Sequence, residues 1–306
     1  MTVYMRRQAQ ILASGTSKTV CGVVLACSTT LGVQEVASFS AVAFGDQRGN
    51  ESETASSVEV PPRRPVVGVR ARSAIVFDAD SGEVLWERDA RDPRPIASIT
   101  KVMTVMLFLD HEKDLSSDVV ISAVDVRRAS TTYLRRGERV SLRDLVHLAL
   151  MASDNVAARA LARVSKWGTK RFISRMNARA AELGLQGTRF TDPSGLHEGN
   201  VSSAFDVSRL IVEASQRARV GEIMRKRSYR ISTSRGDRNI RNTNRLLDSS
   251  LEVMAGKTGY IDEAGYCLAT LVRFSGDQKI AVVVLGAGSS SRRYTETRRL
   301  VDWVSR

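Results

Sequence analysis

The chain has 306 residues, 42% hydrophobic and 26% charged, enough to bury a full core as one large domain or two small ones. Its 46 Lys and Arg outnumber 33 Asp and Glu, for a formal net charge of +13, so its surface favours polyanions. Aromatics are only 6% and no stretch interleaves them with cations, which argues against nucleic acid and leaves anionic lipid or a cell-wall polymer.

The N-terminus reads as an export signal. Arg6, Arg7 and Lys18 precede a mostly apolar or small run, residues 20–33, too short and interrupted to span a bilayer as a stable helix. Ala41-Val42-Ala43 offers a small-x-small cleavage site before Phe44, which makes residues 1–43 the leader. Cys27 follows Val24-Leu25-Ala26, a loose match to a lipoprotein processing site that Leu25 fits poorly. Residues 44–68, rich in Gly, Ser, Glu, Arg and Pro, read as a flexible linker. The folded part is then 69–306. With Cys21 and Cys27 in the leader, only Cys267 remains, and one cysteine in an apolar strand is a packing residue. His111, His147 and His197 show no metal-ligand spacing, so no metal or other cofactor is expected.

Residues 74–77 and 84–88 flank Asp80-Ser81-Gly82 in a hairpin pattern. Residues 98–110 are nearly all apolar after Lys101, the mark of a helix buried on most sides. Ser141 heads a helix through Met151, with Asp144 placed for a capping box. Further helices fit 156–164, 171–183 before Gly184, and 204–214 after Ser203. Residues 229–233 and 238–243 flank Arg235-Gly236-Asp237 as a second hairpin. Strands at 251–259, 265–274 and 279–286 have connections short enough to require antiparallel pairing, and a helix at 291–304 follows. Strands at both ends with helices between predict an α/β chain of the α+β type. Its antiparallel sheet is built from both chain ends, flanked by helices, with a helical lobe.

Three motifs occur once each and in order: Ser98-Ile99-Thr100-Lys101, Ser153-Asp154-Asn155 and Lys257-Thr258-Gly259. On a helix, Ser98 and Lys101 share a face. A serine hydroxyl needs a base in contact, and a lysine becomes one when desolvation lowers its pKa. Ser153 and Asn155 fall between two predicted helices, where Ser153 can relay a proton and Asn155 can hold Lys101 and a substrate amide. A plain helix N-cap explains the same tripeptide locally. Lys257 and Thr258 end a strand and suit a carboxylate, and Gly259 leaves room for an extended peptide along the edge.

Together the motifs resemble those of the low-molecular-mass penicillin-binding proteins, serine D-alanyl-D-alanine carboxypeptidases and endopeptidases acting on peptidoglycan. The resemblance covers roughly residues 70–306. It includes Arg241-Asn242-Thr243-Asn244, the run Thr188-Arg189-Phe190-Thr191-Asp192-Pro193-Ser194-Gly195-Leu196, and Thr258 to Gly265. It implies a β-lactamase/transpeptidase-like fold, Ser98 as the acylated residue and Lys101 as its base. Ser153 and Asn155 complete proton transfer and binding. Lys257 and Thr258 hold the terminal carboxylate, and the N–H groups of Ser98 and Tyr260 form the oxyanion hole. Asp192-Pro193-Ser194-Gly195 is expected to act as a β-turn. The implied partners are peptidoglycan stem peptides and β-lactams as covalent inhibitors. Ending one helix after the last strand resembles the soluble endopeptidase branch, exported to the periplasm or the extracellular cell-wall space and loosely attached by charge. The competing readings are a β-lactamase, opposed by the lack of a Glu-x-x-Leu-Asn loop between the second and third motifs, and a basic cell-wall-binding protein with an inactive site.

Overall fold

The computed structural model describes residues 68–305 other than Thr131. The expected leader at 1–43, with Cys27, and all of the expected 44–68 linker except Gly68 lie outside the described residues. The chain opens with β1 (Ser73–Asp78), β2 (Val84–Arg88) and β3 (Arg94–Pro95), then α1 (Thr100–His111). It continues through β4 (Asp118–Val120), α2 (Ala123–Val126), β5 (Arg139–Ser141), α3 (Leu142–Leu150), α4 (Asn155–Val164) and α5 (Gly168–Glu182). Next come β6 (Val201–Ser202), α6 (Ala204–Gln216), α7 (Ala218–Arg225), β7 (Ser228–Thr233) and β8 (Gly236–Arg241). Last are β9 (Glu252–Ile261), β10 (Gly265–Arg273), β11 (Lys279–Ala287) and α8 (Ser290–Val304).

The main sheet has the order β2-β1-β11-β10-β9, antiparallel throughout. Both chain ends therefore build it, as the sequence predicts. Its central strands are buried on both faces, and their side chains alternate between two cores. Ile75 and Phe77 of β1, Ala281, Val283 and Leu285 of β11 and Cys267 of β10 join α1, α3, α4 and α6 in the larger core. Ala74, Val76, Ile280, Val282 and Val284 face the other way, onto Tyr294, Leu300 and Val301 of α8. Each Val, Leu or Ile among them contributes roughly 1.5–3 kcal/mol by leaving water. Cys267 is fully buried, and burial pushes its thiol up to about 11, as suits a packing residue. Among the described residues no helix is long and apolar enough to cross a membrane.

Several local expectations shift. The helix predicted from residue 98 begins at Thr100, and Ser98 sits in a 3-10 turn, Ala97–Ile99. Ala97 has φ +49, outside the α region, so the helix cannot extend backwards through it. The Ser141 cap forms, its hydroxyl accepting from the Asp144 N–H at 3.0 Å. The box does not close, because the Asp144 carboxylate takes the Ser232 N–H of β7 at 3.3 Å instead. The return strand of the second hairpin begins two residues earlier than predicted, at Gly236, which pairs with Thr233 across a two-residue turn. It belongs to a second sheet, β4-β5-β7-β8, of which the sequence shows only the hairpin. The helix predicted from 171 starts at Gly168, and α7 has no counterpart in the sequence reading.

Candidate active site

β9 is an edge strand, and its free edge lies against the 3-10 turn that carries Ser98. Gly259 permits the approach. A Cβ there would lie 2.7 Å from the Ile96 carbonyl oxygen and 3.2 Å from the Ser98 nitrogen. Lys257 Nζ donates to the Thr258 carbonyl at 2.9 Å, so that carbonyl faces the cleft. Backbone groups two residues apart on a strand face the same way, which puts the Tyr260 N–H on this side beside the Ser98 N–H. These are the two donors expected of an oxyanion hole.

The first motif reaches the second through one amine. Lys101 Nζ lies 2.8 Å from Ser98 Oγ, 2.7 Å from Asn155 Oδ1 and 2.5 Å from the Ser194 carbonyl oxygen. The last two atoms can only accept. A neutral amine has two protons and one lone pair, so the protons go to Asn155 and Ser194 and the lone pair faces Ser98. Lys101 is fully buried, and burial lowers its pKa to about 7, against the pull of Asp192 and Asp154. Ser98 and Ser153 are half-buried and reachable.

The second motif divides its labour. Asp154 is the helix cap, its carboxylate accepting from the Ala157 N–H at 2.9 Å, as the local reading of that tripeptide allows. It also takes the Tyr133 N–H and the Thr132 hydroxyl. Burial raises its pKa despite these bonds. With Asp154 turned into the helix, Ser153 and Asn155 are left for the cleft. Ser153 sits at φ +60, a conformation that costs a non-glycine residue on the order of 1 kcal/mol or more. Its hydroxyl accepts from Lys257 Nζ at 2.8 Å. Lys257 is also buried, and burial pushes its pKa well down, helped by Lys101 and Arg293. Arg293 of α8 braces this strand from behind, donating to the Gly259 carbonyl at 3.2 Å. Thr258 Oγ1 meets Thr243 Oγ1 at 2.6 Å, and the Thr243 N–H donates to the Met151 carbonyl at 2.9 Å. The Arg241–Asn244 segment thereby ties the third motif to the end of α3.

The Asp192-Pro193-Ser194-Gly195 run does more than turn the chain. It delivers the Ser194 carbonyl to Lys101, a contact that sequence reasoning missed. Thr104 of α1 anchors it by donating to the Pro193 carbonyl at 2.7 Å. Gly195 has φ +80, and a Cβ on it would lie 2.0 Å from the Ala97 carbonyl oxygen, so only glycine lets the loop seat against the Ser98 turn. Burial opposes ionisation of Asp192, but hydrogen bonds from Ser194, His197 and Asn200 outweigh it and hold its carboxyl below the usual range. Asp192→Ala should therefore loosen the loop and slow acylation by about 10²-fold, the scale of a 1 Å misplacement. Wild-type acylation rates in a variant with native circular dichroism would refute this role.

Comparison with known proteins places this geometry. The D-alanyl-D-alanine carboxypeptidase family matches residues 56–289. The chain belongs to that family of serine-type peptidases. It is 33% identical over 259 residues to a D-alanyl-D-alanine endopeptidase of Pseudomonas aeruginosa, spanning 82% of this chain and 83% of the relative. It is 30% identical over 269 residues to the endopeptidase of Escherichia coli, spanning 86% and 84%. Among solved structures, a D-alanyl-D-alanine carboxypeptidase from Mycobacterium tuberculosis superposes with a TM-score of 0.73 at 29% identity, covering 80% of this chain and 94% of that one. Penicillin-binding protein D2 of Listeria monocytogenes in its cefotaxime-bound form gives a TM-score of 0.71 at 30% identity, covering 79% and 100%. The fold is thus that of the penicillin-binding D,D-peptidases.

Proposed function

We propose that this protein is a peptidoglycan D,D-peptidase that cleaves D-alanyl peptide bonds through an acyl-enzyme on Ser98. The carrying observation is the fully buried Lys101 amine, held by two pure acceptors with its remaining position 2.8 Å from Ser98 Oγ. Ser98 Oγ attacks the D-alanyl carbonyl while Lys101 takes its proton. The Ser98 and Tyr260 N–H groups receive the oxyanion. The proton passes to the leaving amine through Ser153, the C–N bond breaks and an ester remains on Ser98. Water then hydrolyses the ester and frees the serine. Asn155 orients Lys101 and the substrate amide. Lys257 and Thr258 take the terminal carboxylate, and Gly259 leaves space for the peptide at the edge of β9.

β-Lactams acylate the same serine, and structures of the Listeria relative with cefotaxime and with ampicillin support this. Relatives named D-alanyl-D-alanine endopeptidase in Pseudomonas aeruginosa, Escherichia coli and Haemophilus influenzae support cross-link cleavage over removal of a terminal residue. The leader-like residues 1–43 support export to the periplasm or the extracellular cell-wall space, with the excess of Lys and Arg in the rest of the chain giving loose, salt-sensitive attachment to an anionic wall. Digestion of purified muropeptide dimers tests the whole reading. Release of monomers is the expected result, release of D-alanine with dimers intact would leave only the carboxypeptidase activity, and no product would refute it.

Lys257→Ala should slow acylation by carboxylate-bearing substrates by 10-fold or more, on the order of the 1.5–3 kcal/mol of a charge-assisted bond. A substrate and its C-terminal amide measured side by side check this. Equal losses on both would argue against carboxylate recognition.

A further inference from the structure

A pocket of about 400 Å³ lies beside the second motif, walled by Thr132, Tyr133, Leu134, Arg135 and Arg238. The mechanism above does not use it. Its wall is tied directly to the site. Asp154 accepts from the Tyr133 N–H at 2.6 Å and from Thr132 Oγ1 at 3.1 Å, so two lining residues hang from the residue that follows Ser153. The far wall is equally fixed. Arg238 donates to the Tyr133 carbonyl and, at 2.9 Å, to the carboxylate of Glu138, which is fully buried. Glu138 also accepts from the Thr233 hydroxyl at 2.6 Å and the Arg135 N–H at 2.9 Å.

The charges do not cancel. Glu138 offsets Arg238, whose guanidinium is spent on holding the wall. Arg135 is different: it is exposed, and its guanidinium has no hydrogen-bond or ion-pair partner among the described residues. Gly137, at φ +80, turns the chain so that Glu138 folds under and leaves Arg135 and Arg136 at the tip. The result is an anchored pocket in which Arg135 is the lining cation without an ionic partner. A guanidinium fork offers paired donors that match a carboxylate.

We propose that this pocket is a subsite for a carboxylate of the stem peptide other than the terminal one, with Arg135 as the residue that binds it. The inference rests on the D,D-peptidase reading and adds a substrate preference to it. A peptide ending in D-alanyl-D-alanine with a free carboxylate on an internal residue is compared with the same peptide amidated at that position. The wild-type protein should favour the acid by about 10-fold in kcat/KM, the size of one charge-assisted bond. In Arg135→Gln the ratio of acid to amide should fall toward one, through KM, and Arg135→Lys should restore part of it. Equal use of both peptides by the wild type, or an unchanged ratio in Arg135→Gln, would overturn the subsite and leave the peptidase standing. Cleavage of neither peptide would remove the peptidase reading, and the subsite with it.

Discussion

Ser98→Ala is expected to abolish covalent labelling by a fluorescent penicillin while leaving the protein folded. The loss is complete because the acyl group has nowhere else to go. Ser98 is the only serine in the chain with a lysine three residues on, and it is the hydroxyl 2.8 Å from the buried amine. Of the other hydroxyls of the cleft, Ser153 faces Lys257 and Thr258 faces Thr243. The fold should survive because Ser98 is half-buried and its hydroxyl makes one hydrogen bond, to Lys101, whose net worth is about 1 kcal/mol. Labelling on a gel and thermal unfolding together read both halves. A variant still labelled at the wild-type rate would mean that another residue is the nucleophile. An unlabelled variant that no longer unfolds cooperatively would carry no information on catalysis, which is why both readings are needed.

Lys101→Ala should slow acylation by roughly 10²–10⁴-fold, the usual range for a positioned general base. The wild-type protein should show the base directly in its pH profile. Burial penalises the ammonium, so the pKa lies near 7, below the ordinary lysine value of 10.5. Below that pKa the lone pair carries a proton and cannot accept one from Ser98. Acylation should therefore rise as pH increases through about 7 and level off above it. The incoming carboxylate adds a second effect. Burial also depresses Lys257, and a carboxylate beside it favours the ammonium, so binding should raise the Lys257 pKa. Stopped-flow acylation across pH checks the first claim. A rate that falls with rising pH through neutrality, or an alanine variant as fast as the wild type, would assign the base elsewhere.

The sheet and the long helices were legible because their patterns are local and repeated. The apolar runs of β10 and β11 and the uninterrupted apolar stretch of α1 leave few alternatives. The short strands were not. β4 and β5 have three residues each and β3 and β6 have two, too few for an alternation to show. α7 was hidden because Arg217 ends α6 and caps α7 at once, with Gly221 inside the second helix to mask its period. Asp144 shows a tertiary contact overriding a local rule, since its carboxylate serves β7 and not its own helix. At the site, the motif side chains were readable because each motif is contiguous. The Ser194 carbonyl was not, because a main-chain oxygen has no residue signature. Gly195 beside it was the available hint.

The pairing of β1 with β11 matches Ser73 to Leu285, near opposite ends of the described chain. Arg293 and Tyr294 of α8 then brace Gly259 and Thr243. The nucleophile turn is made early in synthesis, but the strand it must face and the helix behind that strand are made last. Contacts this distant in sequence form slowly, after the entropy of closing the loop has been met. The chain should consequently stay inert until these segments have been made. A chain halted before Lys279 holds all three motifs, yet it lacks β11 to join β1 to β10 and lacks the helix that steadies β9. Penicillin labelling of such a chain should be absent, and its first appearance would mark the moment when the sheet closes.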